Sequence, residues 1–91
     1  MDEFAGNRWA EDFSWIEGTL RFVELEGGFY EVEFGDEHAP YGGRLVLGRP
    51  AELADIPAGS HITVTGHVDE MAMSIFMAGP MYTLASVQRH D

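Results

Sequence analysis

Residues 15–34 read WIEGTLRFVELEGGFYEVEF, and their alternation decides the fold. Ile16, Gly18, Leu20 and Phe22 share one parity, while Glu17, Thr19 and Arg21 share the other. That is a half-buried strand. The apolar parity then flips, because Val23 and Leu25 continue the inward set while Glu24 and Glu26 face water. A flip of this kind predicts a bulge, one extra residue that bends the strand. Gly27-Gly28 supplies a two-residue hairpin turn, and a second strand covers 29–34, with Tyr30, Val32 and Phe34 inward and Glu31 and Glu33 outward. Pairing through that turn sets Glu24 opposite Glu31, Val23 opposite Val32 and Leu25 opposite Tyr30. With the bulge at Phe22-Val23, Leu20 falls opposite Phe34, and the inner face is continuous.

The rest of the chain continues the pattern. Residues 35–43 hold Asp36, Glu37, His38, Pro40 and Gly42-Gly43, all turn or breaker residues. A third strand is expected over 44–47, broken by Gly48-Arg49-Pro50. PAELAD, residues 50–55, reads as a single helical turn with proline near its start. Residues 61–69 form the cleanest strand, with Ile62, Val64, Gly66 and Val68 on one face and His61, Thr63, Thr65, His67 and Asp69 on the other. A short strand over 74–78, a turn at Gly79-Pro80 and a last strand over 81–88 complete the chain, with Tyr82, Leu84 and Val87 inward. Upstream, residues 1–13 are a tail in which Trp9 and Phe13 stand at i and i+4. The alternatives for it are a frayed end and an aromatic clip folding back on the body.

The expected architecture is all-β: a small curved barrel of about five or six strands with one short helical turn between strands three and four. The bulge in strand one, glycines at 18, 48, 66 and 79 where strands must bend, and the removal of open edges all favour closure over a flat sheet. A strand-rich barrel with a short helix at that position is the OB-type plan. The single domain is drawn at 14–88, with tails at 1–13 and 89–91. Leu25-Glu26-Gly27-Gly28-Phe29, Leu47 with Pro50-Ala51-Glu52-Leu53, Val64-Thr65-Gly66-His67-Val68 and Ser74-Ile75-Phe76-Met77-Ala78-Gly79 together resemble a pattern of small bacterial OB-like domains of unknown function. The resemblance covers some four-fifths of the chain and rests on structural residues, so it implies a fold and no activity. The chain departs from the pattern in its acidic first hairpin and in the 38–43 loop.

Charge is the other strong signal. Sixteen acids face five arginines and no lysine, a formal net charge of −11 on 91 residues. Eleven of the acids lie at or before Glu37 against Arg8 and Arg21, which leaves −9 there. Five acids against three arginines leave −2 over the remainder. Such a surface repels phosphate and anionic lipid and attracts basic partners. An OB-type barrel that binds nucleic acid needs a positive groove interleaved with aromatics, so direct nucleic-acid binding is disfavoured. The absence of cysteine excludes disulfides, thiolate zinc and cysteine nucleophiles. No apolar run approaches the ~20 residues of a membrane span, and the first residues lack the features of a secretory signal. A cytoplasmic location is the default, with a mature exported domain as the alternative. A chain of this size buries roughly 60–65% of its unfolded surface, enough for one modest core.

No catalytic constellation stands out, and the chain reads as non-enzymatic with no cofactor. Ser14, Ser60, Ser74 and Ser86 lack a nucleophile-elbow context. His61 and His67 share a face but stand roughly 20 Å apart along a strand. His67 with Asp69, and Asp36 and Glu37 with His38, are half-sites short of the ligands that zinc needs. Met71, Met73, Met77 and Met81 read as core filling rather than copper ligands. What remains is the acidic cluster Glu24, Glu26, Glu31, Glu33, Asp36 and Glu37. It is expected either to solubilise the chain or to dock a basic protein surface, with nucleic-acid mimicry or inhibition as the mode. The expected assembly is a monomer or weak homodimer. The rival reading is a small-ligand or metal-binding barrel that uses the 36–41 loop and its aromatic mouth.

Overall fold

The structure, a computed structural model of the chain, describes residues 8–25, 27–69 and 80–90. Five strands are present among them: β1 (Trp15–Val23), β2 (Phe29–Glu33), β3 (Arg44–Gly48), β4 (His61–Asp69) and β5 (Met81–His90). They close into a barrel in the order β1-β2-β3-β5-β4. All neighbours are antiparallel except β3 and β5, which meet in parallel at Val46 and Met81. Short 3-10 turns occupy Pro40–Gly43 and Ala51–Leu53, the second between β3 and β4 as expected. The all-β, OB-like barrel read from the sequence is therefore the observed fold. The expected strand over 74–78, Glu26, and Met71, Met73 and Met77 lie outside the described residues.

β1 is long because it serves two partners. Its first half pairs with β4, from Trp15↔Thr65 to Thr19↔His61. Its second half pairs with β2, from Thr19↔Glu33 to Val23↔Phe29. Gly18 sits just before that exchange, where a Cβ would collide with the carbonyl oxygen of Glu33. Only glycine allows the two backbones to approach so closely.

The interior collects the inward residues of every strand. Ile16, Leu20, Val32, Phe34, Leu45, Leu47, Ile62, Val64 and Tyr82 form one buried cluster, and Leu53 from the 3-10 turn between β3 and β4 joins it. A second, smaller cluster on the outer face joins Phe29 and Val46, flanked by Val23 and Met81.

The first hairpin differs from the sequence reading. Leu20 faces Val32 rather than Phe34, Arg21 faces Glu31, Phe22 faces Tyr30 and Val23 faces Phe29. β1 continues without a bulge and ends at Val23, and the connection spans 24–28 instead of Gly27-Gly28 alone. The parity flip after Phe22 marks the end of the strand, and Leu25 is 59% exposed. In the observed register Val23 lies opposite Phe29 and packs with it and Val46 on the outer face instead of continuing the inward set. The irregularities fall elsewhere, at Tyr30/Glu31 opposite β3 and at Thr65/Gly66 opposite β5.

Both ends of the described chain are tied to the barrel. β5 runs through His90, with Arg89 opposite Ile62 and His90 opposite His61, so those residues complete the ladder. At the other end, residues 8–14 fold back on β1. Trp9 bridges Ile16, the Arg8 carbonyl accepts the Glu17 N–H at 2.7 Å, and the Trp15 carbonyl accepts the Ala10 N–H at 3.0 Å. The segment lies beside the part of β1 that β2 does not reach. Of the two readings offered for it, the aromatic clip is the one observed.

Candidate functional site: a cleft beside the acidic loop

The clip builds an aromatic box. Trp9 stacks on Phe13 with ring centres 6.3 Å apart, and both rings meet Phe34 edge-on at 5.1 and 5.9 Å. Phe13 also meets Tyr41 at 5.3 Å. Phe34 is buried in the main core, so the box grows directly out of the barrel interior.

Beside the box, residues 34–43 turn back tightly. The Gly43 carbonyl accepts the N–H groups of Phe34 and Gly35, and the Ala39 carbonyl accepts that of Gly42. The Asp36 carbonyl accepts the Ala39 N–H at 3.0 Å, and Asp36 Oδ1 accepts the His38 N–H at 2.9 Å. Gly43 is buried at φ +80°, and a Cβ there would strike the Gly35 carbonyl. The loop is thus fixed by its own backbone, with Asp36 as part of the frame.

Clip and loop enclose a cleft of about 680 Å³. Arg8 and Trp9 form one side, Thr19 and Glu33 lie on the strands, and residues 34–36 and 38–40 supply the remainder. A volume of this size lies within the ordinary range of ligand sites. A second concavity of about 430 Å³ lies where Phe22 and Tyr30 face residues 54–58.

The expected acidic residues do not form one continuous ladder. Glu24 is exposed in the 24–28 loop, and Asp36 and Glu37 are exposed in the 34–43 loop, at the other end of β2. The five residues of β2 separate the two loops by roughly 17 Å. Between them, Glu33 pairs with Arg21 at 3.2 Å. Glu31 is 7% exposed and lies 3.7 Å from Arg44. Burial pushes the Glu31 carboxyl above its ordinary range and Glu33 adds to the rise, while Arg44 and Arg21 oppose it. Glu31 is therefore withdrawn from any contact surface, and the expected Glu24–Glu31 pair does not form. The alternation correctly placed Glu31 on the outer face, but the Phe29–Val46 cluster covers that face.

The histidines group differently from the sequence reading. His61 Nε2 lies 2.7 Å from Glu17 Oε2, and its ring centre is 5.3 Å from that of His90. His90 in turn reaches Thr63 Oγ1 at 2.6 Å. His90 escaped notice because it was assigned to a tail. Among the described residues, no group of three or more His, Asp or Glu side chains could hold a metal ion. No helix among them is long and apolar enough to cross a membrane.

No family model, curated protein or solved structure matches the chain. The site must be read from its own residues.

Proposed function

We propose that the chain is a non-enzymatic acidic interaction domain that docks a basic protein surface, working as a monomer or weak homodimer. Nucleic-acid mimicry or inhibition is the mode it suits, since a net charge of −11 reproduces the sign a phosphate-binding surface recognises. The observation that carries the reading is the position of Asp36 and Glu37. They stand exposed on a fixed loop that holds no arginine of its own, with Glu37 3.7 Å from His38 Nε2, beside a concavity that Arg8 also lines. Glu24 adds charge at the far end of β2, whereas Glu31 and Glu33 belong to the ion pairs of the barrel wall. Long-range attraction would raise the association rate and make binding weaken with salt.

The test is capture from host-cell lysate at low and high salt, with three proteins compared. Wild type should retain a basic protein at low salt and release it at high salt. The double reversal Asp36→Lys/Glu37→Lys should retain none. Glu52→Lys/Asp55→Lys, an equal change of charge elsewhere, should retain most of it. Equal loss in both variants would reduce the effect to net charge and remove the assigned face.

A second reading has its own support. The cleft of about 680 Å³ uses the 36–41 loop and could take a small ligand. A rise in melting temperature with a small molecule, undiminished by salt, would favour it.

A further inference from the structure

The cleft between clip and loop has a chemistry more specific than negative charge. Trp9 is held against Phe13 and Phe34, so its ring is fixed before any partner arrives. Ala39 and Pro40 extend the apolar wall. The titratable lining is Glu33 and Asp36 against Arg8 and His38, with Glu37 exposed just beyond and 3.7 Å from His38 Nε2. Asp36 is anchored through Oδ1 to the His38 N–H. Glu33 already accepts a guanidinium, that of Arg21, at 3.2 Å and in half-exposed surroundings.

An apolar, aromatic wall with carboxylates at its rim matches an arginine side chain. The three methylenes lie along apolar surface while the planar guanidinium stacks on an aromatic ring and meets carboxylates in a fork. A small anion is opposed by the two lining carboxylates, and a wholly apolar group makes no use of them. We infer that this cleft seats one arginine side chain of the partner polypeptide, between the Trp9–Pro40 wall and the carboxylates of Asp36 and Glu33. The inference rests on the docking reading above and names the residue that anchors it. Arg8 is the like charge the incoming guanidinium must approach.

The test is a titration of the full ¹⁵N-labelled chain, followed by amide and indole resonances. The probe is an acetylated, amidated hexapeptide of alternating glycine and arginine. Its control carries citrulline, the neutral isostere, in place of each arginine. The arginine peptide should shift the Trp9 indole and the amides of residues 35–39, and the citrulline peptide should shift neither. Asp36→Asn should weaken binding at least fivefold, and Trp9→Ala should do the same. Arg8→Gln should tighten it about twofold. Because Trp9→Ala also disturbs the clip, Asp36→Asn and Arg8→Gln decide the matter if that variant misfolds. Shifts confined to the Glu24 loop would overturn the cleft assignment and leave the docking reading standing. Equal binding of the citrulline peptide, or weaker binding by Arg8→Gln, would overturn the choice of a cation. An absence of shifts with either peptide at low salt would overturn the cleft assignment, while lysate capture separately decides the docking reading.

Discussion

The Tyr82 hydroxyl donates a hydrogen bond of 2.7 Å to the Phe13 carbonyl, tying the middle of the barrel to the N-terminal clip. Tyr82 is 1% exposed, so burial, with help from Asp12, pushes its phenol up to about 12. Tyr82→Phe keeps the ring and removes this tie. It should cost about 1 kcal/mol and speed hydrogen exchange at the Ala10 and Glu17 amides. In wild type the native phenol holds its proton above the unfolded value near 10. Its contribution to stability is therefore complete below about pH 10 and lost as pH rises through about 12. Unfolding measured along that range should show the decline in wild type and not in Tyr82→Phe.

Glu31 gives a prediction of the same sign at lower pH. Its carboxyl is raised in the folded state by burial, so the native form holds a proton more readily than the unfolded form. The stability it contributes is fullest below the unfolded carboxylate pKa and falls as pH rises through the shifted one. Glu31→Gln should then stabilise the fold at neutral pH, an advantage that vanishes under acid conditions. Urea unfolding at neutral and acid pH checks it. An equal effect at both would show that ionisation is not the cause.

Leu53 is fully buried, although it comes from a three-residue turn. Its side chain fills barrel space that no strand residue supplies. Leu53→Ala should cost about 2–5 kcal/mol, as for other buried leucines. A cost near zero in chemical denaturation would mean that the turn does not plug the barrel.

Gly18 permits β1 to cross from β4 to β2. Gly18→Ala drives a methyl group into the Glu33 carbonyl and Val32, so the strands must separate. We expect a loss of about 1–3 kcal/mol, read from the urea midpoint. Thr19→Ala, the next position along the strand, should cost far less.

The sequence carried the fold well and the site unevenly. β4 was legible residue by residue, because Ile62 and Val64 alternate with threonines and histidines without interruption. The turn at 50–55 followed from Pro50 and Leu53. The hairpin register was not legible. Leu20 slides by two residues, from Phe34 to Val32, and stays on the inner face, but Val23, expected inward opposite Val32, lies opposite Phe29 on the outer face. Val23 finds apolar cover there because Phe29 and Val46 are also turned outward, which no local pattern announces. The paired state of Glu31 was hidden for the same reason, since Arg44 is thirteen residues away and meets it only through β3. Asp36 and Glu37 were named correctly as loop acids, but their cleft needs Trp9, more than twenty residues upstream.

The central claim is that the 34–43 loop is the docking surface. It is tested most directly by titration calorimetry of a captured partner against wild type and Asp36→Lys/Glu37→Lys, at low and at high salt. The account predicts measurable binding by wild type that weakens as salt rises, and none by the double variant, which stays folded and loses only the exposed Asp36–His38 hydrogen bond and the Glu37–His38 contact. Equal affinity for both proteins, or affinity indifferent to salt, would contradict it.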